Sequence, residues 1–339
     1  MDKTIVLPNV SVVIAVYDVE AYIAQCCHSL FAQTLRNIEY IFVDDCSPDK
    51  SMDIVQSVLA EYPDRKEQVK IIRHPQNMGV SRTREDGVNA AAGEYIIHCD
   101  PDDWVELDMY ESLYNKAVAE DADMVLCDLW YHYWDDPQSY YGIEKPNELT
   151  SRSVLASCLC AELPRLNSSL WNKLVKSRLY VGIEWPYNVS FCEDTIVCAQ
   201  FLRSELRISY FDRALYHWRL KDRSLSHRNY TKADADKDLI AISFLHRHLC
   251  GSGDTELFKF WQAYVPLFMI ETLKTPSRIF SNKEYAKRYR QYRDCIFKNP
   301  FISSWKKRLL FCATYNYSLA FTLYKAGRKL KTYLREKRR

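Results

Sequence analysis

The first 130 residues alternate between short apolar runs and stretches in which apolar residues recur at helical spacing. The apolar runs predict strands at Val10–Val16, Ile38–Val43, Val69–Arg73, Glu94–Cys99 and Met124–Leu129. The intervening stretches predict helices at Ala21–Gln33, Ser51–Glu61, Ser81–Ala92 and Leu107–Glu120. This alternation predicts an α/β fold, with a mostly parallel central sheet flanked by helices. Ligands of such sheets bind beyond the carboxyl ends of the strands.

The rest of the chain has a different pattern. Residues 134–150 are polar and contain prolines, so we expect a loop there. Residues 151–228 predict short helices mixed with loops. Residues 232–339 predict helices almost throughout, with breaks near Gly251–Gly253, Pro276 and Pro300.

Carboxylates cluster where two of the predicted strands end. Asp45 closes the second strand, and Asp100, Asp102 and Asp103 follow the fourth. Parallel strands place these groups at one edge of the sheet, where they repel one another unless a cation or hydrogen-bond donors neutralise them. Oxygen ligands of this kind suit Mg²⁺ or Mn²⁺ carrying a substrate phosphate. The alternative is that Asp102 or Asp103 only caps the next helix, but there are more acids than a cap requires.

The turn after the first strand lacks the common nucleotide-binding motifs. It reads Tyr17-Asp18-Val19-Glu20, where a dinucleotide-binding protein would show G-x-G-x-x-G. The sequence also contains no Walker motif. Any phosphates must therefore be held by a metal ion and by basic side chains.

Two segments resemble the donor-binding half of family 2 glycosyltransferases, which have the GT-A fold and include bacterial enzymes of surface polysaccharide assembly. They are VSVVIAVYDVEAYIAQCCHSLFAQTLRNIEYIFVDDCSPDKS and NMGVSRTREDGVNAAAGEYIIHCDPDDW, and the likeness covers about residues 9–130. Further matches are Trp171–Leu174, Glu193-Asp194 and Tyr216–Arg219. The resemblance implies a Rossmann-like GT-A domain over residues 1–230, with a donor-binding part at 9–133 and an acceptor part with the base at 151–228. A helical region, 231–339, would follow it.

The resemblance also implies roles for residues at the donor site. Val16, Tyr17 and Asp18 would line the uracil and ribose pocket, and Asp45 would meet the base. Arg84 would approach the nucleotide. The D-x-D pair would be Asp100 and Asp102, with Asp103 as a third carboxylate near the Mg²⁺ or Mn²⁺ ion.

The catalytic residues implied by the resemblance lie later in the chain. Asp194 would be the general base on the acceptor hydroxyl, with Glu193 beside it. Without the family, an ordinary acid at a helix N-terminus would be the simpler interpretation of Asp194. His217 and Arg219 are candidates to contact the metal or the diphosphate, and a buried, hydrogen-bonded histidine is an equal alternative for His217.

Three positions depart from the family's usual pattern. Cys46 stands in place of the glycine of the D-D-G-S turn, and Glu85 in place of an asparagine. Pro101 stands between the paired acids, where serine is common, and stiffens that turn. Neither Cys46 nor Glu85 occupies a position that normally carries chemistry.

The implied reaction has two chemical requirements. Negative charge on a leaving diphosphate must be stabilised, and a proton must be removed from the incoming hydroxyl. We therefore expect an inverting, metal-dependent transferase that moves a sugar from a nucleotide-sugar, with UDP-sugar the expected donor, to a surface polysaccharide or lipid-linked saccharide. Two alternatives are a sugar-phosphate nucleotidyltransferase, which would have a glycine-rich basic first loop, and a non-catalytic membrane-surface binding protein with the same fold.

Charge is distributed unevenly along the chain. The net charge is +2, but residues 301–339 carry +10 and residues 1–300 carry −8. The basic tail includes aromatic residues, so we expect an interfacial helix over Leu309–Tyr324 that binds an anionic membrane surface. A solvated tail or a nucleic-acid patch would have the same charge, but the family's lipid-linked acceptors favour the membrane, and no nucleic-acid partner is expected.

Cysteine content and the N-terminus bear on the compartment. The chain has 12 cysteines among 339 residues and no C-x-x-C pair, which is typical of a reducing environment rather than a disulfide scaffold. The first residues lack the long apolar segment of a signal peptide, and no stretch of about 18 apolar residues predicts a membrane span. We expect a cytoplasmic protein, peripheral on the inner face of the cell membrane.

Overall fold

The computed structural model describes residues 7–133, 136–160, 166–189, 192–220, 230–251, 253–275, 277–299 and 302–336. These residues form two compact units. The first is drawn from Met1–Ser157, Pro164–Tyr187 and Glu193–Ser224, and the second from Cys158–Leu163, Asn188–Cys192 and Leu225–Arg339. The domain boundaries expected from the sequence stay predictions.

The first unit contains nine strands and six α-helices in its described part. The strands are β1 (Val10–Val16), β2 (Ile38–Asp44), β3 (Val69–Arg73), β4 (Tyr95–His98), β5 (Trp104–Val105), β6 (Met124–Tyr133), β7 (Ser139–Gly142), β8 (Lys173–Lys176) and β9 (Ile208–Leu220). The helices are α1 (Ile23–Phe31), α2 (Ser51–Ala60), α3 (Val80–Ala90), α4 (Met109–Ala119), α5 (Ser151–Leu159) and α6 (Glu193–Leu202). Short 3₁₀ helices occupy Pro63–Gln68 and Ser177–Tyr180.

All nine strands belong to one sheet, in the order β3-β2-β1-β4-β8-β6-β9-β5, with β7 paired to β6. The pairs β3–β2, β2–β1, β1–β4 and β6–β9 are parallel. Strand β8 is antiparallel to both β4 and β6, and β5 is antiparallel to β9. This arrangement, with helices around the sheet, confirms the predicted α/β fold.

The core of the first unit lies around β1, β2 and β4. Their β-branched and aromatic side chains are buried on both faces, as expected for parallel strands covered by helices. Phe31 of α1 packs edge-on against Tyr40 of β2, with ring centroids 5.6 Å apart. Helix α3 packs closely on β1, since a Cβ atom at Gly87 would lie 2.4 Å from the Val13 side chain.

Three strands lie where the sequence predicted loops or helices. Strand β7 falls inside the expected loop at 134–150, and β8 and β9 fall inside the 151–228 segment. The apolar pattern of β9 is interrupted because Asp212 and Arg213 are exposed and its register with β6 shifts beside Asp128. An interrupted alternation does not identify a strand from sequence alone.

The second unit is helical in its described part. Its longer helices are α7 (Lys232–Cys250), α8 (Thr255–Lys274), α9 (Asn282–Tyr289), α10 (Arg293–Lys298), α11 (Ser304–Ala313) and α12 (Tyr317–Glu336), and Arg290–Tyr292 is a 3₁₀ turn. Helices α7 and α9 begin with capping boxes at Thr231 and Ser281. The predicted helix breaks fall between α7 and α8, between α8 and α9, and between α10 and α11.

The interfacial helix expected over Leu309–Tyr324 is not continuous, which corrects that prediction. Helix α11 ends at Ala313 and α12 begins at Tyr317. Leu310 of α11 and Tyr317 and Ala320 of α12 are buried within the second unit, so these apolar residues stabilise the protein itself. None of the helices in the described residues is both long and apolar enough to span a membrane.

Candidate active site

The expected donor-pocket residues meet at the carboxyl ends of β1 and β2. Val16 is buried at the end of β1, and its carbonyl accepts a 2.9 Å hydrogen bond from the Asp45 amide. Tyr17 is exposed, and Asp18 has a left-handed backbone conformation, with φ 53°. The Asp18 amide donates to the Ser47 hydroxyl at 2.9 Å. The four residues named from the sequence therefore lie on one edge of the sheet.

The Asp45 carboxylate is held by the loop that leads into α3. It accepts hydrogen bonds from the amides of Met78 and Gly79, at 2.7 and 2.9 Å, and lies 2.8 Å from His74 Nδ1. Gly79 adopts φ +85°, a conformation that favours glycine. His74 also lies 3.1 Å from Asp86. Sequence reasoning missed His74, whose partners are brought to it only by the fold.

The acidic turn after β4 contains two kinds of carboxylate. Asp103 is only 1% exposed and accepts hydrogen bonds from the Tyr216 hydroxyl and the Arg219 amide, both at 2.7 Å. Burial, together with the charges of Asp102 and Asp100, raises the pKa of Asp103 well above its usual range. Both of its oxygens thus bind groups of the protein, and the role of Asp103 as a metal ligand stays a prediction. It holds the turn in place.

Neither Asp102 nor Asp103 caps the following helix. Helix α4 begins at Met109, and Asp108 occupies its N-cap position. The capping interpretation of the acidic turn is therefore wrong.

Arg84 connects the acidic turn to the Glu193-Asp194 pair. Its Nη2 atom lies 2.9 Å from Asp100, its Nη1 atom lies 3.0 Å from Glu193, and Nη1 also pairs with Asp194. Arg84 is buried; burial opposes its charge, but the three carboxylates raise its pKa. The resemblance implies that Arg84 approaches the nucleotide. The structure adds that its guanidinium contacts carboxylates of both the acidic turn and the Glu193-Asp194 pair.

Asp194 is a largely buried carboxylate whose pKa is raised by its surroundings. It lies in the first turn of α6, and its second oxygen lies 3.4 Å from the Leu170 amide. Burial is the largest influence on its pKa and raises it, Arg84 lowers it, and Glu193 and Asp100 raise it, with a result of about 7. A carboxylate with this pKa can take up a proton near neutral pH.

Asp100 and Asp102 suit a divalent cation that arrives with a phosphate. Burial raises the pKa of Asp100, Arg84 lowers it, and the charge of Asp102 raises it further, so a cation between the two would relieve repulsion. Within the described ranges, no group of three or more His, Cys, Asp or Glu side chains forms a complete metal site. Two carboxylates plus substrate phosphates are a usual Mg²⁺ ligand set, so the residues fit the ion in that form.

His217 belongs to an aromatic cluster beside the acidic turn. Its ring stacks on Trp104 with centroids 4.9 Å apart, its Nδ1 lies 2.9 Å from His132, and its Nε2 lies 3.0 Å from Glu106. Burial lowers the pKa of His217, against the effect of Glu106, and burial with the charges of His217 and Arg219 lowers that of His132 to about 4. Both ring nitrogens are engaged, as the alternative of a hydrogen-bonded histidine predicts, and contact of His217 with metal or diphosphate stays a prediction.

Arg219 hydrogen-bonds to the backbone of the acidic turn. Its Nε donates to the Asp102 carbonyl at 2.9 Å, and its guanidinium lies over the rings of Tyr22 and Trp104, 5.0 and 4.8 Å from their centroids. Its Nη2 donates to the Gln25 side chain at 2.5 Å. The charged residues Lys221 and Arg223, which follow it in sequence, lie outside the described residues.

Comparison with known proteins identifies the family. The sequence profile of glycosyl transferase family 2 matches residues 11–165, the part of the chain that carries β1, β2 and the acidic turn. This part of the chain belongs to family 2 of the glycosyltransferases. This glycosyltransferase is 29% identical over 296 residues to the uncharacterised glycosyltransferase EpsJ of Bacillus subtilis, a match that covers 84% of the chain and 83% of EpsJ.

Two solved structures share the fold. The S. aureus TarS fragment 1–349, in complex with UDP-GlcNAc, matches with a TM-score of 0.57 and 18% identity over 89% of this chain and 90% of that one. The mannosyltransferase PcManGT of Pyrobaculum calidifontis, in complex with GDP-Man and Mn²⁺, matches with a TM-score of 0.52 and 14% identity over 97% and 84%. The protein therefore has the predicted GT-A type of fold. The family match and the glycosyltransferase relatives support the expected enzyme class.

Proposed function

We propose that this glycosyltransferase moves a sugar from a UDP-sugar to a hydroxyl group of a surface polysaccharide or lipid-linked saccharide, with inversion and with Mg²⁺ or Mn²⁺. The observation that carries the proposal is the link from Asp194 through Arg84 to Asp100. It joins a carboxylate with a pKa of about 7 to the acidic turn at the sheet edge. TarS, which shares the fold, binds UDP-GlcNAc, and PcManGT binds Mn²⁺ with its nucleotide-sugar.

The proposed reaction assigns the proton to Asp194. As the acceptor oxygen forms its bond to C1 of the donor sugar, the bond from C1 to the diphosphate oxygen breaks, and that oxygen keeps the electron pair. Asp194 accepts the proton of the acceptor hydroxyl, a contribution of about 10²–10⁴-fold to rate for a positioned base. A single base on the acceptor side suits direct displacement, which inverts the anomeric centre, whereas retention through a covalent intermediate needs a carboxylate nucleophile beside C1.

The acidic turn holds the leaving group in this proposal. A bound Mg²⁺ or Mn²⁺ would offset the charge of the diphosphate, with Asp100 and Asp102 as its protein ligands. Asp103 and Arg219 keep the turn in its conformation through the contacts described above. Glu193 shares Arg84 with Asp194, and its negative charge helps to keep the pKa of Asp194 high.

The nucleotide would bind at the ends of β1 and β2. Tyr17 and Asp18 form the open side of that edge, and the buried Val16 lies directly before them. Asp45 shapes the pocket by fixing the loop at Met78 and Gly79, because its oxygens already accept two amide hydrogen bonds there. The nucleobase of the donor would contact this loop.

Substitution of Asp102 tests the metal and donor assignment. Asp102→Asn should abolish metal-dependent binding of UDP, because one remaining carboxylate does not offset the charge of Mn²⁺ and its diphosphate. Calorimetric titration of UDP with Mn²⁺ measures this. Asp53→Asn, the same change on an exposed residue of α2, is the control and should bind like the unmodified protein. Unchanged affinity in Asp102→Asn would contradict the assignment.

We also propose that the basic tail contacts an anionic membrane surface, on the cytoplasmic face where lipid-linked acceptors would be available. Leu319 and Leu323 are exposed one turn apart on α12, on a different face from the buried Tyr317 and Ala320. Exposed leucines on a helix that also carries Lys and Arg residues are typical of a helix that lies on a membrane. The continuous interfacial helix over Leu309–Tyr324 is not part of this proposal.

A further inference from the structure

The second unit has an open cavity of about 510 Å³, a volume in the range of small-molecule sites. Its walls come from α7, α8 and the segment at residues 291–298, all within that unit. The acidic turn and Asp194 belong to the first unit. The proposed reaction therefore gives this cavity no role.

Aromatic rings form one wall of the cavity. Phe258 and Trp261 lie one turn apart on α8, with centroids 5.6 Å apart and planes 29° apart, and Tyr292 meets Trp261 edge-on at 6.1 Å. The Trp261 indole donates a 3.0 Å hydrogen bond to the Ile242 carbonyl, which fixes its orientation. Phe258 is 37% exposed. The wall is therefore rigid on one side and open to a ligand on the other.

Polar side chains line the same cavity. Gln262 is only 7% exposed, and its amide makes no hydrogen bond to any residue in the described part of the chain. The Gln262 amide is also not one of the fully buried side-chain groups that lack a hydrogen-bond partner, so it is in contact with the open space of the cavity. Asp294 and Lys298, one turn apart on α10, are exposed and form no ion pair with another described residue. A ligand would find free hydrogen-bond donors and acceptors beside the rings.

Aromatic rings beside polar side chains suit a sugar better than a lipid chain or a nucleotide. A lipid chain would cover the amide of Gln262, which is 7% exposed, without offering it a hydrogen-bond partner, and this costs free energy. A nucleotide would bring two or more phosphate charges to a site whose single lysine stands beside a carboxylate. A sugar ring is neutral, has an apolar C–H face that packs on an aromatic ring, and has hydroxyls around its edge for amides and carboxylates.

We propose that this cavity is a second saccharide site, which binds a sugar residue of the acceptor glycan other than the one that reacts. The inference rests on the proposed function for its choice of glycan. Phe258 would pack on the ring face, supported from behind by the buried Trp261, and Gln262, with Asp294 on the rim, would hydrogen-bond the sugar hydroxyls. A bound residue here would retain a long acceptor between successive transfers.

Saccharide binding to the full-length protein without donor tests the site. The probes are linear trisaccharides of glucose, galactose and N-acetylglucosamine, each in α- and β-linked form, titrated to about 20 mM with saturation-transfer NMR and calorimetry. Phe258→Ala removes the ring, and Gln262→Leu removes the amide while keeping the size of the side chain. Phe297→Ala is the control, because Phe297 is 53% exposed in the same unit but does not line the cavity.

At least one trisaccharide should bind, and both cavity variants should weaken it tenfold or more while Phe297→Ala leaves it unchanged. Circular dichroism confirms that each variant is folded. The inference is wrong if no trisaccharide binds, if the cavity variants bind as well as the control, or if alkyl glycosides bind through their chains rather than their sugars. Hydrolysis of UDP-sugars, measured in parallel, reports on the proposed function separately, since Phe258→Ala should leave it intact.

Discussion

At Arg84, one buried guanidinium meets three carboxylates from separate parts of the sequence. Asp100 follows it by 16 residues, and Glu193 and Asp194 follow it by 109 and 110. A buried cation with three anionic neighbours leaves a net negative charge, which keeps Asp194 easy to protonate despite the attraction of Arg84. The resemblance identified each of these residues. It did not identify their shared ion pair, because that depends on how α3 and α6 pack.

Replacement of Arg84 should shift the pH dependence of catalysis. Arg84 lowers the pKa of Asp194, so Arg84→Gln should raise that pKa above about 7 and move the acidic limb of the kcat profile to higher pH. The base is active only when deprotonated, so kcat falls as pH drops through its pKa. Loss of the buried charge should also cost about 3–5 kcal/mol in stability. Arg84→Lys keeps the charge, so the acidic limb of its kcat profile should lie close to that of the unmodified protein. An acidic limb that stays in place in Arg84→Gln would disprove the coupling.

Cys46 has a left-handed backbone, with φ 59°, at the position where the family usually has glycine. Such a conformation costs an ordinary residue about 1–2 kcal/mol. Cys46→Gly should therefore raise the free energy of unfolding by about 1 kcal/mol, measured by urea denaturation, with donor hydrolysis unchanged. Cys46→Ala keeps the strain and should show no such gain. Destabilisation by Cys46→Gly would show that the thiol makes a contribution larger than the strain.

Among the elements, β9 decides the shape of the acidic turn. Strands β1, β2 and β4 could be predicted because their buried faces give continuous β-branched runs, and parallel pairing then places Asp45 and Asp100 at one edge. Strand β9 could not, because the exposed Asp212 and Arg213 and a register shift beside Asp128 interrupt its apolar pattern. The structural role of Asp103 was missed for the same reason, since Tyr216 and Arg219 both lie on β9.

Tyr216→Phe tests this role of β9. The hydroxyl donates to Asp103 and accepts a 3.1 Å hydrogen bond from the Asp100 amide, so its removal leaves two buried groups without a partner. We expect a loss of about 1–3 kcal/mol in stability by chemical denaturation and weaker binding of UDP with Mn²⁺. Tyr133→Phe, on an exposed tyrosine of β6, is the control. Equal behaviour of the two variants would show that Tyr216 does not hold the turn.

The whole molecule combines a catalytic unit rich in acids with a basic helical unit. Residues 301–339 carry +10, yet much of their apolar surface, including Leu310 and Tyr317, is buried in the second unit. Removal of this segment would therefore expose a core as well as delete charge. Charge patterning predicted the basic character of the tail correctly but not its packing, since amphipathic spacing is the same whether the apolar face meets protein or lipid.

Neutralising Lys and Arg residues of the tail tests the membrane proposal while keeping the buried apolar residues Leu310 and Tyr317. The triple variant Arg328→Gln, Lys329→Gln and Lys331→Gln should reduce flotation with vesicles that contain anionic lipid, by about 1 kcal/mol per residue removed. Binding of the unmodified protein should weaken as salt rises. A control triple variant, Lys259→Gln, Lys283→Gln and Lys287→Gln, removes the same charge elsewhere in the second unit and should float normally. Equal loss in both variants, or indifference to salt, would contradict a specific electrostatic anchor.

The central claim is that Asp194 acts on the acceptor and not on the donor. Its most direct test is Asp194→Asn, with UDP binding in Mn²⁺ measured by calorimetry and turnover measured with a UDP-sugar and a saccharide acceptor on the same preparation. The account predicts donor affinity within about threefold of the unmodified protein, with turnover lower by about 10²–10⁴-fold. Weakened UDP binding with turnover preserved would place Asp194 in the donor site and require a different base.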